Sequence, residues 1–576
     1  MKDRTRVEWR PWGEDAFAEA ADRDVPLLCS LTATWCDPCR EMDRETYAEP
    51  RLAAHVNDGF VPVRVDVDRQ PRVRDRYNMG GFPSTVFLAP DGTVLTGAGY
   101  LGPDGFRQIL ERVRDTWNER GAQAGSIPRQ VQGNEPPAGT LTGDIERQML
   151  GQLTERYDEV AGGWGPEPKF PLPDALEFAL KRDREMALRS FDAVSANLLD
   201  EYEGGFYRFA LERNWSDVQH EKLLDSNAAL VRAFANAYLY TGSDTYREPA
   251  ERTIEYLTTT CWVGALSEES TGEAVGESGL PGAFAGSQAP GDPARYTLEA
   301  SDRESDQPPV DHTILAGANG LAIEALCSYH AYTDDERVGR YAERALETVR
   351  AGLLVEGVVH HGLAPDSSMG SSRVATGEAS AETWTRIGEP CLLVNQARVL
   401  AGLLAARSGL GADTLEDATA VAETTIDRLR DGASFVDGPP AGPGLLDRPL
   451  RPVNTNVELA AALLDLAVHA NEQRYERIAT EILEDFGGAS DRFGVQVARY
   501  ASVSARLLEG TLVVRVGDEA GSVLHRAACR IADHEAVVVP GADVSAGTAV
   551  ATRGSNATEP ATTPEELSNR VGALLE

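Results

Sequence analysis

The stretch "LTATWCDPCREMDRETY", residues 31–47, decides how the first part of this chain folds. Two cysteines, Cys36 and Cys39, stand three residues apart, and "CREMDRETYAEPRLAAHVND" after them spaces its apolar residues as a helix does. Ahead of them "VPLLCSL" (25–31) is a short apolar run, and beyond the helix "FVPVRVDVD" (60–68) alternates apolar with polar residues. The order is therefore strand, CxxC, helix, strand. Further on, "GGFPSTVFLAPDGTVLTGAGYL" (80–101) gives a strand, an Asp91-Gly92 turn and a second strand, and "GPDGFRQILERVRDTW" (102–117) an amphipathic helix. Pro83, after Phe82 at the entrance to the first of these strands, is a candidate for the cis isomer.

That context gives the cysteines a chemistry. Cys36 is placed at a helix N-terminus, where unpaired N–H groups and the helix dipole favour a thiolate. Cys39, one turn on, is close enough to attack a mixed disulfide formed by Cys36. Asp37 puts a negative charge beside that thiolate and is expected to shift the pair toward the reducing side, with Arg40 as a partial counterweight. Residues 1–120 resemble a thioredoxin fold, on the strength of "WCxPC" at 35–39 and the proline at 83. The resemblance implies that Cys36 is the attacking thiol, Cys39 the resolving one, Pro83 the cis-proline and Trp35 the shielding aromatic. One position departs from it: Ser30 stands where many thioredoxins carry a buried acid. Two other readings stand beside the redox one. A structural zinc site needs four ligands, and no second CxxC or histidine pair lies at suitable spacing; a redox-silent fold kept for binding is the other. Cys29 reads as a small core residue on its strand.

Composition bounds the rest. The 576 residues imply about three domains, and 42% hydrophobic content is that of a globular protein. Acidic residues number 91 against 55 basic ones, a formal charge of −36, which disfavours nucleic-acid or anionic-membrane partners. The only lysines are Lys2, Lys169, Lys181 and Lys222. An acidic excess spread along an arginine-for-lysine chain is expected of a halophile's protein, whose self-repulsion molar salt screens within about 3 Å. The N-terminus lacks a signal peptide's apolar core and no later run is long enough to span a bilayer, so a cytoplasmic location is expected, in keeping with seven cysteines and no disulfide framework.

"GAQAGSIPRQVQGNEPPAG" (121–139) reads as a linker, with the boundary set at 121–140. Helical spacing then runs almost to residue 510, over 174–202, 219–241, 244–260, 313–333, 335–353, 390–408, 413–431, 454–470 and 472–486. These segments pair as hairpins. No fixed period recurs, which argues against a solenoid and for a closed toroid whose inserts, such as 263–311, gather over one end. The tail (511–576) reads as a small α/β cap with strands at "TLVVRVGD" and "HEAVVVPG", a short helix between them and a final helix from Pro564. The expected fold class is thus multidomain: an α/β thioredoxin-like unit at 1–120, an all-α (α/α)6 six-hairpin toroid at 141–510 and an α/β cap.

"GGWGPEPKFP" (162–171), "EGGFYRFALERNW" (203–215), "EKLLDSNAAL" (221–230), "GAFAGSQAPGD" (282–292) and "ILAGANGLAIEAL" (314–326) give the body a resemblance of its own. They are similar, in order and spacing, to a family that fuses a thioredoxin-like domain to a six-hairpin toroid, which includes bacterial YyaL proteins and spermatogenesis-associated relatives. The toroid resembles sugar epimerases and six-hairpin glycosidases, which implies a carbohydrate or polyol ligand, by analogy of fold alone. Against the family pattern, Gln219 replaces a histidine, Asp225 is displaced by one residue, Ala289, Pro290 and Gly291 replace an acidic run, Ala318 replaces a tryptophan, and Thr552 and Ala557 replace a cysteine pair. The remaining pocket candidates are Lys169, Phe170, Arg208, Trp215, Glu221, Lys222, Asp225, Asn227 and Asn319, with the two lysines favoured because lysine is so scarce. Core packing for the aromatics and hairpin hydrogen bonding for Asp225 and Asn227 are the structural alternatives. His360 and His361 are adjacent on an extended segment and point opposite ways, so no metal is expected, and no cofactor.

The function expected is a cytoplasmic thiol–disulfide oxidoreductase with a toroid for substrate selection, acting on a disulfide-bearing protein or small thiol. The alternative is a carbohydrate-binding or carbohydrate-modifying toroid with a thioredoxin fold as regulator or scaffold.

Overall fold

Leu27–Thr32 (β2) and Ser84–Leu88 (β4) are buried at nearly every position, as strands covered on both faces must be. A computed structural model describes residues 5–133, 135–264, 282–298, 303, 307–365 and 384–575. The chain divides into two compact units, Met1–Glu135 with Val436–Arg451, and Pro136–Phe435 with Pro452–Glu576.

In the first unit β2 and β4 form the centre of a five-stranded sheet that adds Arg10–Pro11 (β1), Val61–Asp66 (β3) and Val94–Ala98 (β5) in the order β1-β3-β2-β4-β5. The β1, β3 and β2 strands run parallel, and β4 and β5 antiparallel to β2 and to each other. Helices α1 (Glu14–Arg23), α2 (Asp37–Glu45), α3 (Pro50–Gly59), α4 (Pro71–Tyr77) and α5 (Pro103–Arg120) complete a thioredoxin-like fold. Phe60, Phe87, Phe106, Val56 and Leu110 form the core between sheet and helices.

The expected linker at 121–140 is corrected. Ser126 bridges to Val94 of β5, Gln130 donates to the Arg76 carbonyl at 3.2 Å and Val131 is buried, so residues up to 135 belong to the first unit. Composition rich in Gly, Pro and Gln signals irregular backbone, not a loose one. The second correction is the strap Val436–Arg451, which lies far along the chain yet is part of this unit. Asp437 at its start is shared by two buried arginines of α4: Arg76 Nη1 at 2.7 Å and Arg72 Nε at 3.3 Å. Arg76 also donates to the carbonyls of Leu445 and Arg448, and Arg72 to that of Leu446. The Tyr77 hydroxyl accepts from Leu445 N–H at 3.0 Å.

The second unit is built of helical hairpins. The segment expected as one helix at 174–202 breaks at Asp183 into α7 (Pro173–Arg182) and α8 (Arg184–Leu198), because the Asp183 side chain accepts from Met186 N–H as an N-cap. The helix expected from 219 begins at Leu224, since Val218–Gln219 and Lys222–Leu223 are short strands; α9 (Leu224–Thr241) then turns back as α10 (Asp244–Thr259), with Ser243 as the cap. Three more pairs follow: Ala316–Thr333 with Glu336–Thr348, Leu393–Leu410 with Leu415–Leu429, and Val453–Ala470 with Gln473–Asp485. The last inner helix, Ala498–Glu509, packs on both α7 and the early helix α6 (Asp144–Arg156). Each inner helix touches the next, and the sixth touches the first, so the ring closes as an (α/α)6 toroid with α6 as the outer partner of the last hairpin.

One device holds these hairpins. The side chain of Asn227, fourth residue of α9, accepts from Phe206 N–H at 2.6 Å and donates to Phe206 C=O at 3.1 Å. Asn319 does the same to Phe284, Asn456 to Phe435, and Gln396 accepts from Val359 N–H. An amide side chain can satisfy a backbone donor and acceptor together, which a buried loop needs.

The C-terminal segment forms a sheet of Val537–Val539, Leu512–Val516, Ala549–Arg553 and Asn556–Ala557 in that order, with helices Val523–Cys529 and Pro564–Leu575. The two strands past residue 548 were not expected, because "AVATRGSNA" carries small side chains in place of the β-branched and aromatic signal. Among the described residues no helix is long and apolar enough to cross a membrane. Parts of the insert at 263–311 (265–281, 299–302 and 304–306) lie outside the described residues.

Candidate thiol–disulfide site

Strand β2 runs out at Thr32, and the chain turns through Ala33-Thr34-Trp35 into α2, with Pro38 fixing the first turn. Cys36 is the N-cap of α2. Its Sγ accepts the Cys39 N–H at 3.1 Å, one of the amides a helix start leaves unpaired. Cys36 and Cys39 are joined as a disulfide with Cα atoms 5.3 Å apart. Both residues are largely covered, Cys36 at 3% and Cys39 at 5% exposure.

The Phe82–Pro83 peptide is cis, and Phe82 meets Trp35 edge to face with ring centroids 5.8 Å apart. The Trp35 indole N–H donates to Asp68 Oδ2 at 2.7 Å, which fixes the ring beside the sulfurs. Asp68 and Phe82 were not singled out from the sequence; the signal for Asp68 was its place at the end of the alternating run "FVPVRVDVD". Arg40 bonds Asp37 at 3.0 Å and the Thr34 carbonyl at 2.8 Å, so the acid beside Cys36 is partly neutralised. The other described cysteines are buried and unpaired, and burial pushes the Cys29 thiol far above its ordinary range.

The toroid candidates fall into separate structural roles. Lys169 is fully buried, its Nζ donating to Asp158 Oδ2 at 3.0 Å and to the carbonyls of Gly162 and Gly165. Lys222 repeats this with Asp200 Oδ2 at 2.9 Å and the Gly204 carbonyl at 2.7 Å. The two turns share four of six residues in register: "DEVAGG" at 158–163 and "DEYEGG" at 200–205. In each, the aspartate Oδ1 accepts the N–H groups two and three residues on, and the paired glycines take positive φ where Arg252 and Tyr256, or Ala193 and Trp215, leave no room for a Cβ. Arg213 and the buried lysine hold Asp158 well below the usual carboxylate range. For Asp200 burial works upward, but Lys222 and the turn amides outweigh it and lower its pKa. These lysines plug their turns, where an ammonium offers donors in a compact tetrahedral set that a guanidinium cannot match in so small a space.

Among the remaining candidates, Trp215 lies over the turn that Lys169 plugs, with the ammonium 5.8 Å from its ring centroid. Trp215 donates to the Ala161 carbonyl at 2.8 Å and packs over Gly163. Arg208 pairs with Glu221 at 3.1 Å, and Phe170 stacks on Phe209 at the surface. Asp225 accepts from Ser226 N–H, and Asn227 and Asn319 are the backbone clamps described above. His361 is buried against Asn395, and among the described residues no group of three or more His, Cys, Asp or Glu side chains is placed to hold a metal.

The fold and the helix-capping cysteine pair define a thioredoxin-like centre attached to a helical toroid. Residues 1–132 match a protein-family model described as "Thioredox_DsbH: Protein of unknown function, DUF255". The chain is similar to "Spermatogenesis-associated protein 20" of Homo sapiens, 27% identical over 290 residues that cover 44% of this chain and 37% of that protein. It thus spans 37% of the length of this relative and of its mouse and rat counterparts. "Thioredoxin-1" of Drosophila melanogaster is 33% identical over 81 residues, 14% of this chain and 72% of that one. The solved structure of cellobiose 2-epimerase from Spirochaeta thermophila DSM 6192 overlaps 59% of this chain and 83% of its own at 16% identity and a TM-score of 0.43.

Proposed function

We propose that this protein is a thiol–disulfide oxidoreductase acting through Cys36 and Cys39. The reduced Cys36 thiolate attacks a substrate disulfide, one substrate sulfur leaves as a thiol, and Cys39 displaces the second, leaving the Cys36–Cys39 disulfide for a thiol reductant to reopen. The observation that carries the reading is the placement of Cys36 at the N-cap of α2, where the Cys39 amide points at its sulfur from 3.1 Å. Trp35, oriented by Asp68, and the Phe82–Pro83 loop shape the approach. Similarity to a protein named thioredoxin supports the same reading. The substrate is a disulfide-bearing protein or small thiol, and the buried, unpaired state of the other described cysteines fits a reducing, cytoplasmic setting. The charge of −36 fits a salt-rich one. Against the carbohydrate alternative, Lys169, Lys222, Asn227 and Asn319 are already engaged by backbone and carboxylate partners.

Turbidimetric reduction of insulin, driven by dithiothreitol in molar salt, tests the proposal. Acceleration by the intact chain and its loss in Cys36→Ser are expected; equal rates for both proteins overturn it.

A further inference from the structure

The helical ring lines a partly open cavity of about 210 Å³. At about 10–15 Å³ for each water-sized position, it has room for about fifteen such positions, enough for a small organic molecule. It lies along the second half of the long inner helices, where Glu324, Ala405 and His469 face it, and the segment around Cys529–Val538 closes one end. None of the nine toroid candidates chosen from the sequence lines it.

Most charges on its wall are spoken for. Arg232 holds Glu177 at 2.9 Å and Glu324 at 2.8 Å, Arg506 is paired with Asp465, and Lys181 and Arg182 hold Glu535. Two groups are left over. Arg499 lines the cavity and, among the described residues, has no hydrogen bond or ion pair. Asp174 faces it with 34% of its side chain exposed, and Arg232 is 3.9 Å away. Burial raises the Asp174 pKa and favours the neutral carboxyl, which can donate as well as accept. Independently, His469 is 9% exposed and its Nδ1 has no partner, although its Nε2 meets the Ser408 hydroxyl at 3.0 Å. A buried ring nitrogen without a partner is costly unless something occupies the space beside it.

We propose that this cavity binds a small carboxylate that also carries hydroxyl or ammonium donors, with Arg499 taking the carboxylate and Asp174 and His469 the remaining polar groups. A guanidinium presents two parallel donors that match a carboxylate, and those of Arg499 have no hydrogen-bond partner among the described residues. The shared chemistry covers hydroxy acids and amino acids, and the probes separate them.

Isothermal titration of the full chain with gluconate, glutamate and the uncharged polyol glucitol tests this. Binding of gluconate identifies a hydroxy-acid site and binding of glutamate an amino-acid site; either is expected to weaken at least tenfold in Arg499→Gln. Ala405→Phe, which fills the cavity without touching a charge, is expected to abolish binding as well and stands alone if the arginine variant does not fold. The proposal is overturned if neither carboxylate binds, if glucitol binds as tightly as gluconate, or if Ala405→Phe binds as well as the natural chain.

Discussion

Replacing Asp437 by asparagine removes one negative charge from a place where two guanidiniums depend on it. The side chains of Arg76, Arg72 and Asp437 are 0%, 3% and 6% exposed, so neither cation can turn to water. Asparagine keeps the shape and leaves the carbonyls of Leu445, Leu446 and Arg448 as acceptors, but the charge that Arg76 and Arg72 share at this point is gone. Breaking a buried pair by removing one partner costs about 3–5 kcal/mol. That cost falls on the thioredoxin-like unit, since the strap and α4 both belong to it. Hydrogen exchange of the full chain, followed in peptides from β2 and β4, reads it directly: at about 1.4 kcal/mol per decade, protection should fall by roughly 10²- to 10⁴-fold. The drop should be nearly the same at 0.2 M and at molar salt, because ions screen a buried pair poorly. A change under tenfold, or one that vanishes in high salt, refutes the idea that the strap completes this unit through Asp437.

Three further outcomes are expected. Lys222→Arg should destabilise the toroid by about 1–3 kcal/mol in denaturant unfolding, because the turn at 200–205 holds an ammonium between Asp200 and the Gly204 carbonyl; equal stability would remove the turn-plug account. Asn319→Leu should cost about 1–3 kcal/mol for each orphaned group, since it strips partners from Phe284 N–H and C=O, and the same scan measures it. Burial lowers the His469 pKa to about 4, so the folded state binds fewer protons than the unfolded one between that value and the ordinary 6.5. Stability from this residue is complete above pH 6.5 and is lost as pH falls toward 4, by about 3 kcal/mol; His469→Leu should flatten that part of the stability–pH curve relative to the natural chain.

Local patterns carried most of the fold. The strand–CxxC–helix–strand order at 25–68 is set by neighbours in sequence, and Asp91-Gly92 marks its hairpin. The strap could not be seen, because Asp437 and Arg76 are 361 residues apart and nothing near either announces the pairing. The toroid lacked a readable period for a related reason. Asn227 and Asn456 each clamp a phenylalanine 21 residues earlier, but inserts stretch the same relation to 35 residues at Asn319 and 37 at Gln396. The pair of "DExxGG" turns was legible, and it would have assigned Lys169 and Lys222 to structure instead of to a pocket. The cavity groups Arg499, Asp174 and His469 carry no local mark, since only ring closure brings their helices together.

The central claim is that Cys36 and Cys39 exchange electrons as a pair. Equilibrating the full chain in molar salt with graded ratios of reduced to oxidised glutathione and, below their range, of reduced to oxidised dithiothreitol, then alkylating and weighing it, tests that claim most directly. A single transition adding two alkyl groups, confined to these cysteines and centred in the cytosolic range of about −220 to −320 mV, is the predicted result. A pair that stays locked in one state across the whole series contradicts it.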